Sequence, residues 1–232
     1  MKIVAYNISL SNHEKVNFLL GQNADVYVVP EISEEERDKL SAEYAMEWHG
    51  VNYDKPYMGT KSKGLGIIWR KDKGEIPEWF KDDYKELSYA IPLIYDDILI
   101  LGIWPTKFNN QKSYTQLAKE IIEKYKPHFS QYKQCIITGD FNLYHKENAP
   151  NKAADIFEID TLLTDLEFHS VYHKLANEKP GYETRNTFYM RFKREDPFFL
   201  DYTYAKLPVK NYNFIENPEE KFSDHIGQVI EI

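Results

Sequence analysis

Only one cysteine occurs in the 232 residues, Cys135, so the chain cannot form a disulfide within itself, and its place in an apolar run reads as a small core residue. Long hydrophobic runs are missing as well. The apolar stretch within Met1-Lys2-Ile3-Val4-Ala5-Tyr6 is too short for a signal peptide, and no run approaches the length of a membrane span. A cytoplasmic protein that does not engage membranes is therefore the expectation. Positive charge is in deficit: 29 Lys and Arg against 37 Asp and Glu give a net charge of −8 and a pI of about 5.4. That balance disfavours a protein that coats nucleic acid, because such binding draws on neutralised phosphates. No internal repeat, low-complexity tract or composition break marks a linker.

What is present points to a folded α/β protein. Hydrophobic residues make up 42% of the chain and aromatics 15%, too many for disorder. A chain of this length buries one substantial core, so a single domain over residues 1–232 is expected. The 18 tyrosines favour strands with half-wet surfaces and aromatic cleft walls over a helical bundle.

Ser11-Asn12-His13-Glu14 reads as a capping box opening a helix with Val16, Leu19 and Leu20 on one face and an end near Gly21. Ala24 to Pro30 reads as a strand, and Glu34-Glu35-Glu36 as the start of a helix whose positive end accommodates acids. Gly64 to Arg70 and Ile91 to Trp104 read as strands, the latter a hairpin turning at Tyr95-Asp96-Asp97. Tyr114, Leu117, Ala118, Ile121, Ile122 and Tyr125 form the buried stripe of a helix from about Asn110 to Phe129. A second amphipathic stretch carries Ile159, Leu162, Leu163 and Leu166, and later strands are Thr187 to Arg191, Phe198 to Ala205 and Gln228 to Ile232. Hairpins mixed with crossover helices indicate two packed sheets with helices outside.

The chemistry is suggested by polar residues at strand ends, where a side chain is held rigidly while facing a cleft. Lys2 to Tyr6 runs into Asn7, Val26 to Pro30 into Glu31, Cys135 to Thr138 into Gly139-Asp140-Phe141-Asn142, Phe198 to Leu200 into Asp201, and Ser223 into Asp224-His225. Such carboxylates, amides and an imidazole suit a hard cation and a phosphate. Each also has a plain reading: Asp140 with Asn142 as a turn, Glu31 as a helix-start acid, Asn7 as a turn former and His225 as a surface histidine. Asp201 is harder to dismiss, since a carboxylate between Phe198-Phe199-Leu200 and Tyr202-Thr203-Tyr204 needs a partner, and an imidazole is a natural one.

Taken in order, these motifs resemble the endonuclease/exonuclease/phosphatase superfamily across nearly the whole chain. Asn7, Val28-Val29-Pro30-Glu31, Gly139-Asp140-Phe141-Asn142, Leu200-Asp201-Tyr202 and Ser223-Asp224-His225 match its motifs, with Pro30 where glutamine is usual. The resemblance implies a four-layer α-β-β-α sandwich of two mixed sheets flanked by helices, as in deoxyribonuclease I. It also implies a hydrolase that uses Mg²⁺ or Mn²⁺, with Glu31, Asn7 and Asp224 as the metal set. Asp140 would then orient or deprotonate water, Asn142 would hold a phosphate oxygen, and His225 braced by Asp201 would contact the phosphate or act as general base.

The strand ending at Trp104 usually delivers a histidine or tyrosine to the phosphate, and Gly102-Ile103-Trp104-Pro105-Thr106-Lys107 has neither. Thr106 or Lys107 is the expected replacement, with Trp104 stacking on substrate or packing the cleft. Two basic segments, Lys61, Lys63, Arg70, Lys71, Lys73 and Arg185, Arg191, Lys193, Arg194, are either solvated faces or holds for a nucleic-acid backbone. Arg191 joins the expected substrate contacts. Trp48, Tyr53, Tyr57, Trp104 and Tyr189 offer rings on which bases could stack. A nuclease acting on DNA or RNA is the leading reading. A small-molecule or conjugate phosphoesterase follows, and a non-catalytic binding protein of the same fold is third. Nothing in the sequence fixes the oligomeric state.

Overall fold

In the computed structural model the described residues are all but 58, 81–88, 108–111, 146–154, 196 and 220, and the Tyr57 side chain is likewise left aside. Period-two alternation of apolar residues builds the first sheet from β1 (Lys2–Ala5), β2 (Val26–Ile32), β3 (Tyr44–Tyr57), β4 (Thr60–Arg70), β11 (Asn211–Ile215) and β12 (Gly227–Glu231). Its order is β11-β12-β1-β2-β4-β3. The second sheet takes β5 (Gly74–Glu75), β6 (Ala90–Tyr95), β7 (Ile98–Ile103), β8 (Cys135–Asp140), β9 (His169–Ser170) and β10 (Asp201–Ala205), in the order β5-β6-β7-β8-β10-β9. Both sheets are mixed, with β1 parallel to β2 and β7 parallel to β8.

Three apolar layers follow from that alternation. Ile3, Ala5, Val26, Val28, Leu65 and Ile67 of the first sheet meet Ile91, Leu93, Ile100 and Ile136 of the second in the central layer. The intervening residues Val4, Tyr27 and Val29 face outward and are covered by Val16 and Leu19 of the helix His13–Leu20. On the other side Leu99, Leu101, Ile103 and Ile137 are covered by the helices Tyr114–Phe129 and Ile156–Asp165. The result is the expected four-layer sandwich, helix on sheet on sheet on helix. Among the described residues no helix is long and apolar enough to cross a membrane.

Local expectations fare unevenly. The β6–β7 hairpin turns at Asp96 and Asp97, both with positive φ (47° and 64°), as a tight two-residue loop requires. The long helix opens with a Ser113–Gln116 capping box and begins at Tyr114; Asn110 lies outside the described residues. Ser11 does not cap the first helix: Asn12 does, accepting from Lys15 N–H, while Ser11 Oγ accepts from Ser33 N–H. The acidic run Glu34-Glu35-Glu36 starts only a short 3₁₀ helix, Glu34–Lys39. Thr187 to Arg191 is not a strand. Phe188 makes isolated bridges to Phe198 and His225, and the chain then reverses at Arg191 and Phe192, whose φ values are 54° and 62°.

Gly139 shows why the motif at the end of β8 begins with glycine. Its φ is +144°, and a Cβ there would lie 2.1 Å from the Ile103 carbonyl oxygen of the paired strand. Gly139→Ala is expected to destabilise the protein by about 2–3 kcal/mol. Urea denaturation against wild type measures this.

Candidate active site

Each letter of Gly139-Asp140-Phe141-Asn142 has a separate task in the fold. Phe141 is fully buried against the rings of Tyr202 and Tyr204, and its N–H donates to Leu200 O, which anchors the end of β8 to the approach to β10. Asn142 takes a left-handed φ of 53°, a conformation Asn tolerates, and its N–H closes a turn on Asp140 Oδ1 at 2.9 Å. Its side-chain amide donates to Pro105 O at 2.9 Å, tying this loop to the one that follows β7. Asp140 is left with Oδ2 facing the other sheet.

Glu31 lies inside β2, one residue further into the strand than the sequence suggested. The pairing of β2 with β4 shifts register between Pro30 and Ile32, and Glu31 sits in that bulge with φ +65°. Proline fits there because a bulge leaves a ladder donor unused. Trp48 secures the far side, its indole N–H donating to Ile32 O at 3.0 Å. The indole lies across Gly50 and Gly64, where a Cβ on either residue would approach it to within 2.5 and 2.6 Å. Trp48 is thus a lock on the Glu31 bulge, not a ring offered to a base.

A continuous line of contacts crosses the end of the sandwich. Lys63 Nζ lies 2.8 Å from Glu31 Oε2. The Asn7 amide nitrogen stands 3.5 Å from Glu31 Oε1 and donates to Asp140 Oδ2 at 2.9 Å. His225 Nε2 is 3.8 Å from the same Asp140 oxygen, and His225 Nδ1 donates to Asp201 Oδ2 at 2.9 Å. Asn7, Asp140, Asp201 and His225 are buried, whereas Glu31 and Lys63 are half-buried at the rim. The ligand atoms of Asp140, Asp201 and His225 all lie within 4.8 Å of one another.

Side chains to which the sequence assigned no role hold this line. Ser223 Oγ donates to Asn7 O and accepts from His225 N–H, joining the end of β1 to the loop before β12. Thr187 Oγ1 accepts from the N–H groups of Leu200 and Asp201, and the Phe188 ring packs 4.6 Å from the His225 ring. Lys15 gathers the carbonyls of Ile8, Ser9 and Leu10 at 2.7, 3.0 and 3.0 Å, fixing the loop after Asn7. Thr187 and Lys15 stand in no motif and gave no signal, and Ser223 was read only as the residue that opens Ser223-Asp224-His225.

The remaining expected residues are more dispersed. Asp224 is half-buried, with its carbonyl accepting from Tyr189 N–H, and its charge acts on Lys15 together with that of Glu31. Trp104 is 2% exposed, set edge-on to Tyr89 with Lys63 over its ring, so it packs the base of the cleft and presents no face for stacking. Thr106 is half-buried; Lys107 is exposed, its ammonium 4.5 Å from the centre of the Tyr114 ring. Tyr114, read from sequence only as part of a helical stripe, has its phenol pKa raised by burial and then by the Asp140 charge. Arg191 is exposed on the loop that turns beyond Tyr189. Much of the first basic segment is paired along its strand, Lys63 with Glu31, Arg70 with Glu43 and Lys73 with Asp96. In the second, Arg185, Lys193 and Arg194 border a cleft of about 1250 Å³ that reaches Ser223 and Ile226.

Burial sets the electrostatics. Asp140 and Asp201 are direct cross-strand partners, and desolvation followed by the Asp201 charge pushes the Asp140 carboxyl well above its usual range. For His225, burial opposes the imidazolium, but the charges of Asp201 and Asp140 outweigh it and raise the pKa to about 10. Glu31 and Asp140 present hard carboxylate oxygens on either side of the Asn7 amide nitrogen, and that chemistry fits Mg²⁺ or Mn²⁺ better than a soft ion.

No protein-family model matches the sequence, and no curated protein matches it. Solved structures do match over essentially the full length. A 3′-5′ exonuclease from Neisseria meningitidis has a TM-score of 0.72 at 16% identity, with 100% of this chain and 99% of that one covered. An AP endonuclease from Archaeoglobus fulgidus gives 0.69 at 15%, covering 99% and 98%. The mannosyl-6-phosphatase of Bacteroides thetaiotaomicron gives 0.60 at 16%, covering 100% and 98%. At these identities the likeness is one of fold: two mixed sheets flanked by helices, as in deoxyribonuclease I.

The raised His225 pKa carries a sign. A folded-state pKa above the ordinary 6.5 contributes stability that is present below pH 6.5 and lost as pH rises toward 10. In metal-free protein the thermal midpoint is expected to fall over that interval, and His225→Gln is expected to flatten the fall. Melts at stepped pH with both proteins measure the difference.

Proposed function

We propose that residues 1–232 form one catalytic domain of the endonuclease/exonuclease/phosphatase superfamily, a divalent-metal-dependent phosphoester hydrolase. The observation that carries this reading is the buried Asp201–His225–Asp140 group joined through Asn7 to Glu31, with contacts of 2.9, 3.8, 2.9 and 3.5 Å along the line. Buried carboxylates this close are costly unless paired, and here a cationic imidazole and an amide compensate them at a cleft.

Glu31 would hold Mg²⁺ or Mn²⁺, with Asn7 beside it and Asp224 on the same rim. When bound, the cation would supply charge stabilisation at the phosphoryl oxygens. The chain's own groups do the rest. Asp140, whose pKa is raised, is a better proton acceptor than an ordinary carboxylate and is placed to orient water and take its proton as the water oxygen attacks phosphorus. Asp201 fixes His225 through Nδ1, so Nε2 faces the same space as Asp140 Oδ2. At 3.8 Å from that oxygen, beyond hydrogen-bond range, the Nε2 proton is available to a phosphate oxygen as the ester bond breaks. Tyr114 lies within the field of Asp140 and carries the Lys107 ammonium over its ring, so Tyr114 and Lys107, with Thr106 next to Lys107 in the chain, are the candidate substrate contacts beyond β7.

Nuclease action is the leading substrate reading. The neighbours in fold include a 3′-5′ exonuclease and an AP endonuclease, and Arg185, Lys193 and Arg194 line a cleft that reaches Ser223 and Ile226, which bracket His225 in the chain. A small-molecule phosphoester is favoured by a different observation: Glu195, Glu216 and Glu219 share the adjoining cleft with Arg185, Lys193 and Arg194, so it is balanced in charge and suits a neutral polar group.

Hydrolysis of single- and double-stranded DNA and RNA, an apurinic duplex and a generic phosphodiester, with Mg²⁺ or Mn²⁺ and with EDTA, separates these readings. Activity should vanish with EDTA, and His225→Ala and Asp140→Ala should each lose at least about 10²–10³ in rate with the fold intact. Near-normal turnover in either variant would sink the assignment.

A further inference from the structure

The line of site residues carries one charge that the proposed chemistry has not used. Lys63 projects from β4 to Glu31 Oε2 at 2.8 Å, with its ammonium 5.4 Å from the centre of the Trp104 ring. Its side chain is 19% exposed. The backbone that carries it cannot shift easily, since Gly64 beside it is pressed between His49 O and the Trp48 indole, where a Cβ would lie at 2.3 and 2.6 Å. The ammonium is therefore held at a fixed point on the rim, between the metal-type carboxylate and the end of β7.

Other cations at this end are placed differently. Lys15 is satisfied by three backbone carbonyls at 2.7 to 3.0 Å. His225 lies in the interior with Nδ1 on Asp201, on the far side of Asp140 and Asn7 from Glu31. Lys107 is exposed over Tyr114, away from Glu31. A phosphate entering beside Glu31, Asp140, Asp201 and Asp224 meets carboxylates on every side, and a positive contact at the rim is what makes such an approach favourable.

We propose that Lys63 is a phosphate-binding residue of this site, held on Glu31 while no substrate is present. The inference rests on the hydrolase reading. Lys63 releases Glu31 when that carboxylate is shared with a divalent cation, and its ammonium then faces the substrate phosphate across the Trp104 ring. An ammonium suits this exchange, being a compact charge on a flexible stem. Two consequences of opposite sign follow: removing the charge weakens action on the phosphoester and strengthens metal binding in the absence of substrate.

The test compares wild type with Lys63→Met, Lys63→Arg and, as a surface control on a distant helix, Lys126→Met. Mn²⁺ affinity without substrate is read by electron paramagnetic resonance, and kcat and KM are read on bis(p-nitrophenyl) phosphate. Lys63→Met should lower kcat/KM about 10²-fold. It should also bind Mn²⁺ at least about tenfold more tightly, the size that one positive charge a few ångström from a divalent ion imposes even at the dielectric of water. Lys63→Arg should stay near wild type in Mn²⁺ affinity, and Lys126→Met should match wild type in both. Weaker Mn²⁺ binding by Lys63→Met would overturn the proposal, because the lysine would then only support Glu31. Undiminished kcat/KM would overturn it too. If Lys63→Met folds poorly by circular dichroism, Lys63→Gln carries the same expectations. Wild type that neither binds Mn²⁺ nor hydrolyses any phosphoester defeats the hydrolase reading itself, whereas active wild type with unchanged Lys63 variants defeats the lysine assignment alone.

Discussion

The hydrogen bond from the Asn7 amide to Asp140 Oδ2 joins the two sheets at the site, and the site depends on it. Apolar packing between sheets is non-directional and would tolerate small displacements of one sheet over the other. A buried, charge-assisted hydrogen bond does not, since slipping it leaves an unpaired carboxylate in the interior. Asn7 lies just beyond the end of β1 in the first sheet and Asp140 ends β8 in the second, so this contact sets the relative position of Glu31 and Lys63 on one side and of His225 and Asp201 on the other. The strands supply rigidity and the polar line supplies alignment.

Local backbone distortions then aim the side chains. Glu31 and Asn142 take positive φ, and Gly139 occupies a conformation closed to other residues, all at strand ends around the cleft. Such conformations cost of order 1–3 kcal/mol each and persist where surrounding contacts over-determine them. Here those contacts are identifiable: Trp48 on Ile32 O behind Glu31, Pro105 O on the Asn142 amide, and Ser223 between Asn7 and His225. None of these supporting groups titrates near neutral pH, so the frame is indifferent to the protonation of the groups it holds.

Much of this was legible in the sequence because strands that end in a polar residue leave a strong pattern. Asn7, Asp140, Asp201 and His225 were identified by that pattern, and the structure brings them together. The turn at Asp96-Asp97 and the stripe of Tyr114 to Tyr125 were equally readable, since local chemistry dictates both. What escaped depends on distant partners. β3 carries Pro56 and many exposed polar residues and becomes a strand only by pairing with β4. Thr187 to Arg191 looks strand-like, yet its partners are consumed after one residue. Trp104 promised an aromatic contact, and its burial between Tyr89 and Lys63 is a tertiary fact. Trp48, Thr187 and Ser223 act through contacts with segments far along the chain, which no spacing rule exposes.

The order of the first sheet places β12 between β11 and β1, so the strand that opens the described chain is flanked by the one that closes it. During synthesis on the ribosome, β1 therefore waits with one edge unpaired until β12 has emerged. Asn7 and His225 are brought into one site by that late pairing. A chain that stops short of β12 thus holds the Glu31 end of the site alone, and the line from Glu31 to Asp201 closes only when the sheet is completed.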